Sequence, residues 1–453
     1  MVVSGEGNEP IQRSKGVFAA GRTIHLPGEK VLMFKFIHAA DIHLDSPLHR
    51  LDVYEGAPME ELRQAARKAF DNLVALALRE KVAFVVIAGD LYDGDWKDYN
   101  TGLYFVSQMS RLAEADIPVY IVAGNHDAAS KITKSLRLPE GVILLASDAP
   151  QTVTLDAVGV AVHGQSFPKP AVKKNLARDY PDALPGHFNI GLLHTCATGR
   201  EGHEPYAPCS LDDFRARGYD YWALGHVHQR EILLDRPLTV FPGNIQGRHV
   251  GETGAKGCML VTVDDRGRAE ANFSPLDVVR WFRIEVNAAG MDSGYDLVDA
   301  TVGRIEELLA QNEGLPLVAR VEVAGDCPAH EQLGSEPEHW AVEIRSAALD
   351  RGGGRVWIEK LKIRTRLPVD PRELDRAGGP ITELLDYLDE IRSDPALLES
   401  LGGVLDDLVK KLPRELREGK EAPYRDQMAW LVDLIGQVQP MLISRLKARW
   451  EHT

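Results

Sequence analysis

The positions of apolar residues predict alternating strands and helices from residue 33 onward. Continuous apolar runs at 34–40, 82–88 and 118–123 are typical of strands that are buried on both faces. Between them, apolar side chains recur at helical spacing over 59–80 and 99–115. Further runs that predict strands lie at 158–162, 188–193, 219–224 and 258–263. The pattern predicts a layered α/β or α+β domain that ends near residue 275.

A second, smaller α+β domain follows in the pattern. Strands are predicted at 281–286, 317–323 and 356–363, with helices at 295–310 and 336–349. The prolines and glycines of 368–379 indicate a linker, and two amphipathic helices are predicted after it, at 381–411 and 424–450. The predicted organisation is a flexible extension, a large domain, a small domain and a helical tail, at 1–32, 33–275, 280–366 and 381–450.

The composition is that of a soluble globular protein. The chain has 453 residues, a net charge of -15, 44% hydrophobic residues and 26% charged residues, which suits two to four domains. No run approaches the roughly 18 apolar residues that span a bilayer, so we expect no membrane segment. The excess of acidic residues argues against a protein that binds nucleic acid over a generally basic surface, but a local basic groove remains possible.

The N-terminus and the cysteines both indicate a cytoplasmic protein. The first 32 residues contain no apolar stretch of the kind found in signal peptides. The four cysteines form no Cys-x-x-Cys pair. Cys196 and Cys209, with His203 between them, could hold a structural zinc ion, but buried thiols in a reducing compartment are the favoured interpretation.

Residue types that commonly bind metals directly follow the predicted strands. The six segments are Asp41-Ile42-His43, Gly89-Asp90-Leu91-Tyr92-Asp93, Gly124-Asn125-His126-Asp127, Leu192-Leu193-His194, Gly225-His226-Val227-His228 and Phe241-Pro242-Gly243-Asn244. Because strand ends converge on one edge of a layered sheet, we expect these side chains to lie close together. The spacing of two in Asp41/His43 and in His226/His228 points both members of a pair the same way in extended chain. Together the segments provide oxygen and nitrogen ligands for two divalent ions such as manganese, iron or zinc.

The order of these segments, D-x-H, GD-x-x-D, GNHD, H and GHxH, resembles the calcineurin-like metallophosphoesterase superfamily. The longer stretches HAADIHLDSPL, AGDLYDG, YDYWALGHVHQREIL and FPGNIQGRHVGETGAKGC are similar to YhaO-type DNA repair exonucleases, which are relatives of the SbcD nuclease subunits. The resemblance covers about residues 33–275, and the small domain is similar to the capping domain of such nucleases. It implies an α/β metallophosphoesterase β-sandwich with flanking helices, a small α+β capping domain and a helical C-terminal tail.

The resemblance also implies a centre of two divalent metal ions, with manganese as the expected metal. It assigns one ion to Asp41, His43, Asp90 and His228. It assigns the other ion to Asp90, Asn125, His194 and His226. Asp90 would bridge the two ions, because a carboxylate has two oxygens and can offset charge on both.

Two further residues receive catalytic roles from the resemblance. His126 would stabilise the transition state and protonate the leaving alkoxide. Asp93, three residues after Asp90, would orient His126 and raise its pKa, with a surface carboxylate in a loop as the alternative. Some eukaryotic nuclease relatives carry histidine at this position.

The glycine-rich loop 243–257 follows the last ligand segment and carries Arg248 and His249. We weigh two interpretations of this loop evenly. It either approaches substrate phosphates closely, with Arg248 and His249 as substrate-binding residues, or forms an ordinary solvated turn.

The favoured function is metal-dependent hydrolysis of phosphodiester bonds in DNA, by an exonuclease or endonuclease of DNA repair. The alternatives are a small-molecule phosphodiesterase, a phosphatase of the same superfamily, and a non-catalytic scaffold. Phosphatase relatives carry arginine directly after the position of Asp93, where this chain has Gly94, and a scaffold would lack a ligand position. The resemblance implies DNA and an SMC-like coiled-coil ATPase docked on 381–450 as partners, and it leaves a homodimer open.

Overall fold

The computed structural model describes eight stretches of the chain. They are 33–46, 59–93, 99–129, 137–197, 206–312, 314–368, 380–411 and 427–450. The predicted extension at 1–32, residues 369–379 of the predicted linker, Gly94 and His203 lie outside the described residues. No helix within the described stretches is long and apolar enough to cross a membrane.

The first sheet has six strands and carries helices on its outer face. In spatial order its strands are β12 (Ala269–Pro275), β11 (Gly257–Val263), β1 (Phe34–Ala39), β2 (Phe84–Ala88), β3 (Val119–Val122) and β4 (Val142–Leu144). Strands β1 to β4 run parallel, whereas β11 and β12 pair antiparallel. Helices α1 (Met59–Glu80) and α2 (Tyr99–Ala113) connect the parallel strands and pack on one face of the sheet.

The second sheet also has six strands and lies against the inner face of the first. In spatial order they are β5 (Gln151–Leu155), β6 (Val160–Gly164), β7 (Phe188–His194), β8 (Tyr221–Gly225), β10 (Leu238–Phe241) and β9 (Glu231–Asp235). The described residues of this part of the chain also form two short α-helices, α3 (Asn125–Ala129) and α4 (Leu211–Ala216), and one turn of 3-10 helix (Ala177–Asp179). Helix α4 begins with a capping box, in which Ser210 and Asp213 bond each other's backbone N–H groups.

The space between the two sheets is filled by side chains from both. Every residue of β2 is buried, because Val85 and Ile87 face the helices while Phe84 and Val86 face the second sheet. The rings of Phe36 and Phe84 stack at a centroid distance of 4.9 Å within this layer. The prediction of an α/β β-sandwich with flanking helices is therefore confirmed.

Several edge strands carry at most a short apolar run, and the sequence pattern did not indicate them. Strands β5, β9 and β12 alternate between half-buried and exposed residues. Their identity as strands depends on pairing with a neighbour in the sheet more than on their own hydrophobicity.

The small domain contains a three-stranded parallel sheet with its helices on one face. Its elements are β13 (Arg280–Asn287), α5 (Gly294–Gln311), β14 (Leu317–Asp326), α6 (His330–Ser335), α7 (Pro337–Arg351) and β15 (Val356–Arg366). The sheet order follows the chain order, so two right-handed crossovers in the same direction put all helices on the same side. Trp340 of α7 is buried there in the core that joins helices and sheet.

The opposite face of the small sheet meets the large domain at one end. Trp281 and Val318 are buried against Leu62 of α1 and Val250. The indole Nε1 of Trp281 donates a hydrogen bond to the carbonyl oxygen of Gly247, at 2.9 Å. The small domain therefore contacts the loop that follows β10.

The described residues of the C-terminal segment form three helices, where the sequence pattern predicted two. They are α8 (Pro380–Ser393), α9 (Pro395–Lys411) and α10 (Gln427–Trp450). The predicted single helix over 381–411 is wrong, because Pro395 has no N–H and disfavours helical backbone at the residue before it. Leu398, Leu431 and Ile435 form a small buried core shared by the three helices.

Candidate metal centre

The strand ends bring all seven predicted metal ligands to one edge of the sandwich. Asp41 and His43 follow β1, Asp90 follows β2, and Asn125 begins α3 directly after β3. The second sheet supplies His194 as the last residue of β7, and His226 and His228 after β8. The segments after β1 and β2 remain paired beyond the strands, since His43 N–H donates to the Asp90 carbonyl at 3.0 Å.

Six of the seven candidate ligands form two groups, and within each group the ligand atoms lie within 4.8 Å of one another. The first group is Asp41, His43 and His228, and the second is Asp90, His194 and His226. Asp90 Oδ2 lies 3.9 Å from His43 Nε2 and 3.4 Å from His194 Nε2, so this carboxylate faces both groups. Asn125 Oδ1 lies 2.9 Å from His194 Nε2, on the side of the second group.

The chemistry of these donors fits two divalent cations. The Nε2 atoms of His43 and His228 approach to 3.2 Å, a contact in which at most one nitrogen can donate. Two carboxylates and an amide oxygen complete the set, and mixed imidazole and carboxylate ligands suit manganese, iron or zinc.

Burial makes the isolated ligands electrostatically unfavourable. It raises the pKa of Asp41 to about 6 and lowers the pKa of His43 to about 3, since the charged form of each group is poorly solvated. Bound cations would compensate the buried carboxylates and would need neutral imidazoles as ligands. Burial would also lower the pKa of His194, but the Asp90 carboxylate raises it to about 9, so His194 would release a proton when a cation binds.

Several candidate ligands occupy backbone conformations that non-glycine residues rarely adopt. The φ angles of Asp41, His43, Asp90 and His226 are 51°, 47°, 51° and 101°. A left-handed backbone conformation is unfavourable for residues other than glycine, and it occurs most often at functional sites. At such a site it gives the side chain a direction that an ordinary turn would not. The hydrogen bonds from His226 N–H to both Asp41 oxygens, each at 3.0 Å, help to hold this arrangement.

Two glycines allow the ligand-bearing segments to approach each other. A Cβ atom on Gly89 would lie 2.3 Å from His194 Nδ1, and one on Gly124 would lie 2.3 Å from Asp90 Oδ1. Neither distance is compatible with a side chain. Both glycines are therefore required by close packing at the centre.

His126 and Asp93 form a hydrogen-bonded pair beside the ligands. His126 Nδ1 lies 2.7 Å from Asp93 Oδ1, and this hydrogen bond raises the pKa of the imidazole. Burial alone would raise the pKa of Asp93, but its hydrogen bonds, first that from His126, hold it well below the usual range. The His126 side chain is 39% exposed, so its ring reaches the groove in front of the ligands.

The glycine-rich loop contributes one side chain to the centre and leaves another at the surface. Arg248 is largely buried, and its Nη1 lies 3.6 Å from Asp93 Oδ2 and 3.4 Å from Ser46 Oγ. His249 is 61% exposed at the rim of the groove.

The sequence pattern missed the carboxylate that holds this loop. Glu252 is buried, and its Oε1 lies 2.7 Å from Nδ1 of the predicted ligand His228. Its only sequence signal is a charged residue within a glycine-rich loop, and such a side chain is more often solvated.

Asp127 has a structural role. Its carboxylate accepts hydrogen bonds from the backbone N–H groups of Gly124, Leu91 and Tyr92.

Within the described residues, no cysteine belongs to a group of candidate metal ligands. Cys196 and Cys209 are buried, and burial raises the pKa of the Cys209 thiol to about 12. Thr195 Oγ1 lies 3.2 Å from Cys209 Sγ. These surroundings agree with buried thiols, the interpretation that the sequence favoured.

Comparison with known protein families matches most of the described chain. Residues 34–230 match the model of calcineurin-like phosphoesterases, and residues 281–366 match the middle domain of the metallophosphoesterase YhaO. The first match contains all seven candidate ligands. The second covers the three-stranded sheet and its helices.

Individual relatives extend this comparison. The chain is 31% identical to "Uncharacterized metallophosphoesterase YhaO" of Bacillus subtilis, over 78% of this chain and 87% of the relative. It is 27% identical to the "DNA double-strand break repair protein Mre11" of Methanopyrus kandleri, over 85% of this chain and 82% of the relative. The protein of the same description from Sulfurisphaera tokodaii is 26% identical, over 44% of this chain and 50% of the relative. The chain belongs to the YhaO family of calcineurin-like metallophosphoesterases, with Mre11 proteins as more distant relatives.

Proposed function

We propose that this protein is a two-metal-dependent phosphodiester hydrolase that cleaves DNA, as an exonuclease or endonuclease in DNA repair. The observation that carries the proposal is the placement of the His126–Asp93 pair beside two ligand groups that share Asp90. Two metal ions that stabilise the entering and leaving oxygens, together with a separate proton donor for the leaving alkoxide, suit the cleavage of a phosphodiester. A scaffold without activity would not need the second of these.

Each side chain of the centre would have its own part in the reaction. Asp41, His43, Asp90 and His228 would hold one ion, and Asp90, Asn125, His194 and His226 the other, with manganese as the proposed metal. Two bound ions would supply Lewis acidity at phosphorus. His126, with Nδ1 bonded to Asp93, would direct its Nε2 toward the groove and donate a proton to the leaving alkoxide. Arg248 would orient a substrate phosphate, and His249 at the rim would contact the chain beyond it.

The groove beside the candidate ligands is large and open. It has a volume of about 810 Å³ and is open to solvent between the segment after β8 and the loop of Arg248. Arg230 is exposed at its edge, where the guanidinium packs over the ring of Phe273. A small ester would leave most of this groove empty.

A strip of basic side chains on the small domain also favours a long anionic substrate. We call it the cationic strip, and it consists of Arg283, Arg320, Lys360, Lys362, Arg364 and Arg366. It lies on the sheet face opposite the helices, with Arg283, Arg320 and Lys360 in one row of the sheet. Six cations stand against four carboxylates on this face (Glu285, Glu322, Asp326 and Glu359), whereas the whole chain has a net charge of -15. Such local charge suits a phosphate backbone.

The cationic strip begins beside the groove. Trp281, one row before Arg283 on the same face, contacts the glycine-rich loop through Gly247. From Lys360 to Arg366 the strip extends about 20 Å, at roughly 3.3 Å per residue. Glu359 pairs with Arg320, and Glu322 pairs with Lys362 and Arg283. The exposed Lys360, Arg364 and Arg366 have no carboxylate within 4.0 Å among the described residues.

The test is an activity assay of the purified protein with Mn²⁺. Labelled single-stranded and double-stranded DNA are incubated beside bis-p-nitrophenyl phosphate and p-nitrophenyl phosphate. We expect cleavage of DNA and of the diester. Hydrolysis of the small diester without DNA cleavage would favour the alternative, a small-molecule phosphodiesterase, and preference for the monoester would favour a phosphatase.

We further propose that the protein is cytoplasmic. We also propose that its C-terminal helices bind an SMC-like coiled-coil ATPase. The three helices bury Leu398, Leu431 and Ile435 among themselves. They leave Val404 and Tyr387 exposed, at 77% and 54%. A self-contained bundle with exposed apolar side chains suits a docking element.

A further inference from the structure

A single buried carboxylate connects the two parts of the candidate centre. Glu252 is only 5% exposed and lies in the loop between Gly247 and Gly257. It contacts one predicted metal ligand and one predicted substrate-binding residue. Neither family comparison assigns it a role.

Both oxygens of Glu252 accept two hydrogen bonds. Oε1 lies 2.7 Å from His228 Nδ1 and accepts from Arg248 Nη2 at 3.1 Å. Oε2 accepts from Asn244 Nδ2 at 3.0 Å and from the Arg248 backbone N–H at 2.8 Å. Donors therefore face both oxygens, and a proton on either oxygen would meet one of them, so the carboxylate accepts at every position.

The first consequence concerns the ligand atom of His228. Because an ionised carboxylate can only accept, His228 must carry its proton on Nδ1. Its Nε2 then has a lone pair, and this atom faces His43 Nε2 at 3.2 Å and Asp41 Oδ1 at 3.8 Å. A carboxylate behind a histidine fixes both tautomer and ring orientation at metal sites.

The second consequence concerns the proton donor. Arg248 is held by Glu252 through both its backbone and its guanidinium. The other end of that guanidinium lies 3.6 Å from Asp93 Oδ2, and Asp93 bonds His126. Glu252 is thereby joined to the His126–Asp93 pair through one side chain.

We propose that Glu252 is a positioning residue that keeps His228 ready to bind its metal ion and holds Arg248 against Asp93. One carboxylate would then set the geometry of an ion site and of the substrate-binding arginine beside the proton donor. The inference rests on the metal centre of the proposed function.

Glutamine cannot replace Glu252 without breaking one side of this network. Its amide has one accepting end and one donating end, whereas the site presents donors to both oxygens of Glu252. If the amide NH₂ faces His228, the ring must accept on Nδ1, and the proton moves to the Nε2 that should bind metal. If the NH₂ faces Asn244 and the Arg248 backbone, donor meets donor and the loop shifts.

The experiment is titration of metal-free protein with Mn²⁺ by calorimetry. We expect the wild type to bind two ions and Glu252→Gln to bind one of them about 10- to 100-fold more weakly. The matched control is Glu359→Gln, which removes a carboxylate that also binds an arginine, Arg320, but lies on the small domain. This control should keep both affinities.

Kinetics separate the two consequences. Raising Mn²⁺ should recover kcat of Glu252→Gln on bis-p-nitrophenyl phosphate in part, while KM stays elevated because Arg248 is no longer held. Arg248→Ala should raise KM and leave Mn²⁺ affinity unchanged. If Glu252→Gln does not fold, Glu252→Asp keeps both acceptors and should lose affinity for one ion by a smaller factor.

Two outcomes are distinguishable. Unchanged binding of both ions by a folded Glu252→Gln or Glu252→Asp variant would overturn the role of Glu252 and leave the metal centre standing. Failure of the wild type itself to bind Mn²⁺ would refute the metal centre of the proposed function.

Discussion

The Nε2 atoms of His43 and His228, 185 positions apart in the chain, lie 3.2 Å from each other. His43 comes from the first sheet and His228 from the second, so the contact closes the sandwich at its ligand-bearing edge. Two such atoms cannot satisfy each other fully, since at most one carries a hydrogen. A cation bound between these two nitrogens would therefore also stabilise the packing of the two sheets against each other.

Asp90 is expected to be indispensable for metal-dependent hydrolysis. Asp90→Asn should lower Mn²⁺-dependent cleavage by more than about 100-fold, because both ions lose the charge of the shared carboxylate. This loss exceeds the loss of about 10- to 100-fold that is typical when a residue hydrogen-bonded to a metal ligand is replaced. Asparagine tolerates the φ of 51° at this position better than alanine does, which limits unrelated strain. Asp213→Asn, in the cap of α4, is the control and should retain activity. Near wild-type hydrolysis by Asp90→Asn would contradict the two-metal centre.

His126 is expected to act on turnover and not on metal binding. His126→Gln should lower kcat by about 10²- to 10⁴-fold, the usual contribution of a proton donor, with metal content unchanged by elemental analysis. Asp93→Asn should lower kcat through the same pair, so the double variant should be little worse than His126→Gln alone. A large loss of bound metal in His126→Gln would instead make His126 a ligand.

The cationic strip is expected to bind DNA and to be irrelevant to small esters. Replacing Lys360, Arg364 and Arg366 by alanine should weaken DNA binding and reduce the slope of log K against log salt, by about 0.9 for each DNA phosphate that the variant no longer neutralises. Hydrolysis of bis-p-nitrophenyl phosphate should not change. The control replaces Arg266 and Arg268, which are exposed in the turn between β11 and β12. Equal salt slopes for both variants and the wild type would show that DNA does not contact the strip.

His38 is expected to make the protein less stable as the pH falls. The ring is fully buried between the Tyr221 hydroxyl and the Leu224 carbonyl, and burial lowers its pKa to about 3. The unfolded chain takes up the proton near pH 6.5, so the free energy of unfolding should fall between that pH and about 3. One such group contributes up to about 1.4 kcal/mol per pH unit.

His38→Gln should show a correspondingly shallower pH dependence. Urea unfolding of metal-free protein at several pH values measures the slope for both proteins. The sign follows because the unfolded state binds more protons than the folded state in this window. Identical slopes for wild type and variant would mean that His38 does not contribute.

The C-terminal helices are expected to be separable from catalysis. A chain ending at residue 370 should stay soluble and hydrolyse bis-p-nitrophenyl phosphate within about two-fold of wild type, because the buried core of the helices is their own. Light scattering and the ester assay test this. Unfolding on truncation would make the helices part of the main fold and remove the argument for a docking element.

Much of the centre could be predicted from the sequence, because its signals are local. A buried strand is an apolar run, and a ligand is a polar residue directly after it, so Asp90 and His194 are recognisable without knowledge of the fold. That strand ends meet at one edge is a general property of layered sheets. The family resemblance then supplied roles that spacing alone leaves open.

Only the tertiary structure decided which side chains support the ligands. The contacts of Glu252 with His228 and of Arg248 with Asp93 join positions 24 and 155 residues apart, and no periodicity records such a pair. The cationic strip likewise depends on the handedness of two crossovers, which puts every helix of the small domain on one face. The local sequence pattern determines whether a segment forms a strand or a helix. Which segments contact one another depends on long-range packing, which is a property of the whole folded chain.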